Sequence, residues 1–130
     1  MKAVQIKNSG KNSSLVIGET PTPDPKPNQV LVKIKATALN RADLLQRTGN
    51  YDPPEGASDI LGLEMAGMVE KIGSKVTKWE PGDRVFGLLP GGGYAEYCTI
   101  HEDMAMPIPK SLSFEKAAAI PETFLTAFQA

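Results

Sequence analysis

A tyrosine on a proline-braced loop is the side chain here best suited to hold a ligand. Tyr51 lies in the run Asn50-Tyr51-Asp52-Pro53-Pro54-Glu55-Gly56, where it offers a ring to pack against and a hydroxyl to hydrogen-bond. The plain alternative is a surface aromatic. Asn40 stands where an alternating apolar run ends and a short helical turn begins, so its amide can cap that turn. Glu64 sits inside a mostly apolar stretch, Leu61 to Ile72. A buried carboxylate survives by pairing, and Arg41 or Lys71 are the expected partners. Arg41 and Asp43 read as a solvated helix face. Cys98 and His101 are three positions apart, and on a strand they point to opposite faces. A nucleophilic Cys–His pair is therefore not expected, and both read as structural. Gly91-Gly92-Gly93 precedes a strand rather than a helix, which is the context of a turn and not of a phosphate cradle.

Short elements must position these residues. Met1 to Ile6 and Leu15 to Thr20 read as a hairpin. Pro21, Pro23, Pro25 and Pro27 then force an extended surface connection, because proline cannot donate to a ladder. Val30 to Ala38 alternates apolar and polar residues, the period of a strand with one buried face. Arg41 to Arg47 is a short helix with Leu44 and Leu45 packing inward, closed by Gly49. Met65 to Ile72, Arg84 to Leu88 and Tyr94 to Ile100 are further strands. Gly67 permits close backbone approach, and Pro81-Gly82 suits a type II turn. Met104 to Pro109 is extended. Ser113 caps a helix running from Phe114 through Ile120, and Pro121 opens a second one, with Phe124, Leu125 and Phe128 at helical spacing. Many short strands with helices only late predict a mainly-β, strongly bent barrel-like domain.

Composition removes several function classes. The 130 residues carry 14 basic and 15 acidic side chains, a net charge of −1. No basic excess exists to hold a phosphate backbone, so no nucleic acid is expected as a partner. No run of about 18 apolar residues occurs, so no membrane span is expected, and the N-terminus lacks the pattern of a signal peptide. A single cysteine rules out an internal disulfide and suits a reducing, cytoplasmic setting. Zinc takes three or four ligands, usually Cys or His. Cys98 and His101 are the whole supply, so no metal site is expected.

Five stretches together resemble a known family. They are Ala38-Leu39-Asn40-Arg41-Ala42-Asp43-Leu44, Gly49-Asn50-Tyr51-Asp52-Pro53-Pro54, Leu61-Gly62-Leu63-Glu64-Met65-Ala66-Gly67, Pro81-Gly82-Asp83-Arg84-Val85, and Ala117-Ala118-Ala119-Ile120-Pro121 with Leu125-Thr126-Ala127. In this order they resemble the N-terminal catalytic domain of the medium-chain dehydrogenase/reductase superfamily, a GroES-like bent β-barrel. Within it the chain looks most like the zinc-independent NADPH:quinone oxidoreductases. In zinc-bearing relatives the places of Asn40 and Leu63 are held by Cys and His ligands. An amide is a poor zinc donor and Leu offers no lone pair.

The resemblance implies hydride or electron transfer from NADPH to a quinone or a similar electron-poor carbonyl. It implies that Asn40 and Tyr51 line the cleft and orient cofactor and acceptor, and that Thr126 lies at the cofactor's edge. It also implies a homo-oligomer. Residues 1–120 would be the GroES-like domain, and 121–130 the start of a helix leading to a nucleotide-binding Rossmann domain. Glycines of the dinucleotide fingerprint, which follow a strand and open a helix, do not occur within this chain. A related enoyl or alkenal reductase, or a non-enzymatic GroES-like interaction module, are the competing readings.

Overall fold

The computed structural model describes residues 1–8 and 10–130. The strands are β1 (Lys2–Lys7), β2 (Ser14–Glu19), β3 (Gln29–Ala36), β4 (Glu64–Ile72), β5 (Arg84–Leu88), β6 (Tyr97–His101) and β7 (Met106–Pro107). The helices are α1 (Arg41–Arg47), α2 (Phe114–Ala118) and α3 (Pro121–Gln129). β1 and β2 form an antiparallel hairpin, and the other five strands form one antiparallel sheet in the order β6-β3-β4-β5-β7. The mainly-β reading with short helices holds. The ladder is open, ending at β6 on one side and β7 on the other, so hydrogen bonds do not close a barrel among the described residues.

β3 and β4 occupy the middle of the sheet, which explains their composition. Val30, Val32, Met65, Val69, Val85 and Ile100 pack into the main core, where each such side chain contributes about 1.5–3 kcal/mol by leaving water. The expected alternation of β3 holds only from Val32 onward. Leu31 is buried as well as Val30 and Val32, because the strand is flanked on both sides by partners. Gly67 earns its place by contact: a Cβ there would lie 2.3 Å from the Lys33 carbonyl oxygen.

The segment before β6 does two jobs, which is why the strand expected from Tyr94 joins the ladder only at Tyr97. Ala95 bridges Ala3 of β1, and the Val4 N–H donates to the Tyr94 carbonyl at 2.8 Å. The Ile34 N–H donates to the Glu96 carbonyl at 2.9 Å. Residues 94–96 thus fasten the hairpin across the end of β3.

α1 spans the expected residues but turns the other way. Leu44 and Leu45 are exposed, and Asp43 and Gln46 are buried. The helix buries its polar stripe because that stripe completes a hydrogen-bonded cluster, described below. Further on, the Ser113 hydroxyl accepts the Lys116 N–H at 3.3 Å and caps α2. α2 stops at Ala118 rather than at Ile120. Pro121 has no N–H to continue the ladder and instead takes the first position of α3.

Candidate functional site

At the junction of β3, α1, β4 and α3, four polar side chains gather around one buried carboxylate. Glu64, the first residue of β4, is 1% exposed. Its Oε1 accepts from the Asn40 amide nitrogen at 2.7 Å. Its Oε2 accepts from the Glu122 backbone N–H at 2.9 Å, at the first turn of α3, where unpaired donors and the helix dipole favour an anion. The backbone carbonyl of Glu64 takes the Thr37 hydroxyl at 2.7 Å. Neither expected base partners Glu64: Lys71 pairs with Asp24 instead, and neutral donors do the work.

Asn40 occupies the N-cap position of α1 with an extended backbone. Its amide nitrogen goes to Glu64, while its side chain also meets the Asp43 N–H in a capping box, so the reading of Asn40 as the cap of α1 holds. The box closes from the other side: the Asp43 carboxylate accepts the Asn40 N–H at 2.7 Å. The same oxygen accepts the Tyr94 hydroxyl at 2.6 Å. Asp43 is 4% exposed, which corrects its reading as a solvated helix residue. Its other oxygen, Oδ1, is buried without a partner. Arg41, by contrast, is exposed as expected.

Tyr94 arrives from a distant loop because two glycines let the backbones touch. Gly62 has φ +104°, and a Cβ on it would lie 2.7 Å from the Gly93 Cα and from the Tyr94 nitrogen. The Gly93 N–H donates to the Gly62 carbonyl at 3.0 Å, and the Tyr94 N–H to the Leu61 carbonyl at 2.9 Å.

Burial, and then the hydrogen bond to Asp43, push the Tyr94 phenol well above the ordinary tyrosine range. The folded chain therefore holds this proton more tightly than the unfolded chain does. That stability is fully present below about pH 10, the ordinary tyrosine value, and is lost as pH rises above it. Tyr94→Phe should cost about 1–2 kcal/mol at neutral pH and should flatten the alkaline fall in stability. Urea unfolding followed from pH 8 to 11 checks this, and parallel pH curves for the two proteins would refute it.

An apolar groove of about 600 Å³ runs alongside, between the hairpin and the end of β3. Leu15, Ile17, Ile34, Leu39 and Tyr94 line it, and Leu39, the residue before Asn40, is largely exposed. Tyr51 is half-exposed and lines a different groove, of about 470 Å³, with Gln46, Pro53 and Ile60. No hydrogen bond joins Tyr51 to Asn40 among the described residues. Thr126 is exposed on α3, one turn beyond Glu122 on the same side of the helix. Phe124 and Phe128 on α3 are also exposed.

The glycine run offers no phosphate cradle. The Gly92 N–H is taken by the Ile60 carbonyl at 2.7 Å and that of Gly93 by Gly62. Leu63 is buried, and among the described residues no three His, Cys, Asp or Glu side chains group as a metal site would require. Burial pushes the Cys98 thiol up to about 12, while His101 is exposed, in line with their separate structural readings. No helix among the described residues is long and apolar enough to cross a membrane.

Residues 26–110 match the alcohol dehydrogenase GroES-like domain. The chain is 34% identical over 128 residues to the synaptic vesicle membrane protein VAT-1 homolog-like of Mus musculus, covering 98% of this chain and 31% of that protein. It is 33% identical over 132 residues to the quinone oxidoreductase of Lama guanicoe, covering 100% of this chain and 40% of the relative. The structure of the Escherichia coli quinone oxidoreductase complexed with NADPH superposes with a TM-score of 0.84 at 35% identity, over 98% of this chain and 39% of that one. Quinone oxidoreductases and enoyl reductases recur among the matches. The chain spans 30% to 42% of the length of these curated relatives.

Proposed function

Because this chain belongs to the alcohol dehydrogenase GroES-like domain family, we propose that it forms one wall of the cleft of a zinc-free, NADPH-dependent oxidoreductase acting on quinones or similar electron-poor carbonyls. The observation that carries this reading is the apolar groove flanking a rigidly held, half-buried amide: Leu39 at its rim precedes Asn40. Such a pairing suits a flat, weakly polar ring that needs orientation more than it needs charge. When bound, the reduced nicotinamide supplies the hydride. The residues of this chain bind and orient. Ile34, Leu39 and Tyr94 offer apolar surface that excludes water, and Asn40 fixes a polar contact at the edge. Tyr51 packs a ring or donates its hydroxyl from the neighbouring loop, and Thr126 meets the nucleotide from α3. The Gly92 and Gly93 amides are already bonded and do not serve the pyrophosphate. It falls to a nucleotide-binding domain, toward which α3 presents Phe124 and Phe128.

Amide chemical-shift mapping tests this reading. NADPH added to the isotope-labelled chain should move resonances of Leu39, Asn40, Tyr51 and Thr126. Tyr51→Ala should weaken that binding about 10-fold, the loss of one ring contact and one hydrogen bond. A map in which neither Asn40 nor Tyr51 responds would overturn the proposal.

A further inference from the structure

We infer that the groove lined by Gln46 and Tyr51 is a binding site in its own right, and that it takes a small organic cation with a flat or apolar body, such as an amidinium or a protonated aromatic amine. The inference shares Tyr51 with the functional reading above but needs neither Asn40 nor Thr126.

Gln46 is the residue that marks the groove. α1 turns Asp43 and Gln46, three positions apart, to its inner side, and both are buried. Gln46 is 8% exposed. Among the described residues no hydrogen bond reaches its side-chain amide, and Asp43 Oδ1 is the single side-chain atom that is both unbonded and sealed off. The Gln46 amide therefore meets open space, and the open space it borders is this groove of about 470 Å³. So recessed an amide is poorly hydrated, and a ligand that bonds it displaces little water.

Charge decides the kind of ligand. Asp52 and Asp59 line the groove, and both are exposed. Neither enters an ion pair among the described residues, and no Lys, Arg or His among them lines the groove. Gln5 lines it too, and the donor end of its amide is spent on the Glu19 carbonyl at 3.3 Å. Acceptors are thus in surplus and the negative charge is unopposed, which attracts a cation and repels an anion. The remaining wall is apolar. Val4, Ile6, Pro53 and Ile60 receive a hydrocarbon body, and the ring of Tyr51 can hold a cation on its face. The N–H groups of an amidinium complement the Gln46 carbonyl and a carboxylate.

Three probes of nearly one shape separate charge from fit: benzamidine, a cation at neutral pH, neutral benzamide, and the anion benzoate. Each is titrated into the isotope-labelled chain and followed by amide chemical shifts, side-chain NH2 signals included. Benzamidine should move the Gln46 side-chain signals together with Tyr51, Asp52 and Asp59, saturably and at one site. Benzamide should bind about 10-fold more weakly, the difference that two partly screened carboxylates and a ring face make, and benzoate more weakly still. Raising the salt concentration should weaken benzamidine and leave benzamide unchanged. The double variant Asp52→Asn with Asp59→Asn alters two exposed side chains, so it should fold as before and lose most of the preference for the cation. Gln46→Met keeps the length of the side chain and removes the amide. It should weaken benzamidine and benzamide alike, several-fold, which a general surface-charge effect would not do. Equal binding of benzamidine and benzamide, a preference that survives the double substitution, or shifts that bypass Gln46 would each overturn the inference and leave the cleft assignment standing. An NADPH map that leaves Asn40 and Tyr51 still would remove the cleft reading and leave this site intact.

Discussion

Gly62→Ala is expected to destabilise the chain by more than about 3 kcal/mol, enough to unfold a substantial share of a marginally stable domain. Two costs add. The residue has φ +104°, which side chains rarely adopt, and its new Cβ would press against backbone atoms of Gly93 and Tyr94 at 2.7 Å. Backbone cannot swing aside as a flexible side chain can. Gly56→Ala separates the two terms. It has φ +78° with nothing within 4 Å of the added carbon, so it should cost only about 1 kcal/mol. Urea denaturation of both variants decides the matter, and equal losses would show that the crowding at Gly62 carries no weight.

The second large effect belongs to Glu64. Truncation to alanine leaves the Asn40 amide and the Glu122 N–H without their acceptor and opens a space in a buried site. Hydrogen bonds to a charged partner are worth about 1.5–3 kcal/mol each, and part of that loss is recovered by water. A net cost of about 3 kcal/mol follows, a fall in melting temperature of roughly 10 °C for a domain of this size. The helical signal should also fray, because the first turn of α3 loses its anion. Thermal unfolding followed by far-ultraviolet circular dichroism reads both, and a fall below about 3 °C would mean that the buried carboxylate contributes nothing net.

What could be read from the sequence was local. Ser113 three residues before Lys116, Pro121 at a helix start, and Pro81-Gly82 with its positive φ at Gly82 each carry their signal within a few positions. The alternation in β3 likewise needed only nine residues. Leu44 and Leu45 misled because an apolar side chain was taken to mark the inner face. Here the inner face is polar, and one oxygen of Asp43 takes two donors from within the fold. The spacing of Asn40 and Asp43, cap to third helical residue, was a usable sign that Asp43 reaches back to the chain. Tyr94 and Glu122 gave no such sign. Their partners lie 51 and 58 residues away in sequence, and only the tertiary fold brings them together. Resemblance singles out Asn40, Tyr51 and Thr126 as candidates, but it does not tell that Asn40 leans on Glu64 while Tyr51 lines a separate groove.

Those long spans have a kinetic consequence. Closing a loop of 50 or 60 residues costs entropy before any bond repays it, so contacts of this kind form late and slow a chain's folding. On the ribosome, the strands around Asn40 emerge well before residue 122 does. Until then the Glu64 carboxylate has no helix end to hold. The contact between Glu64 and the first turn of the C-terminal helix is therefore among the last to form, and it appears only when that helix docks.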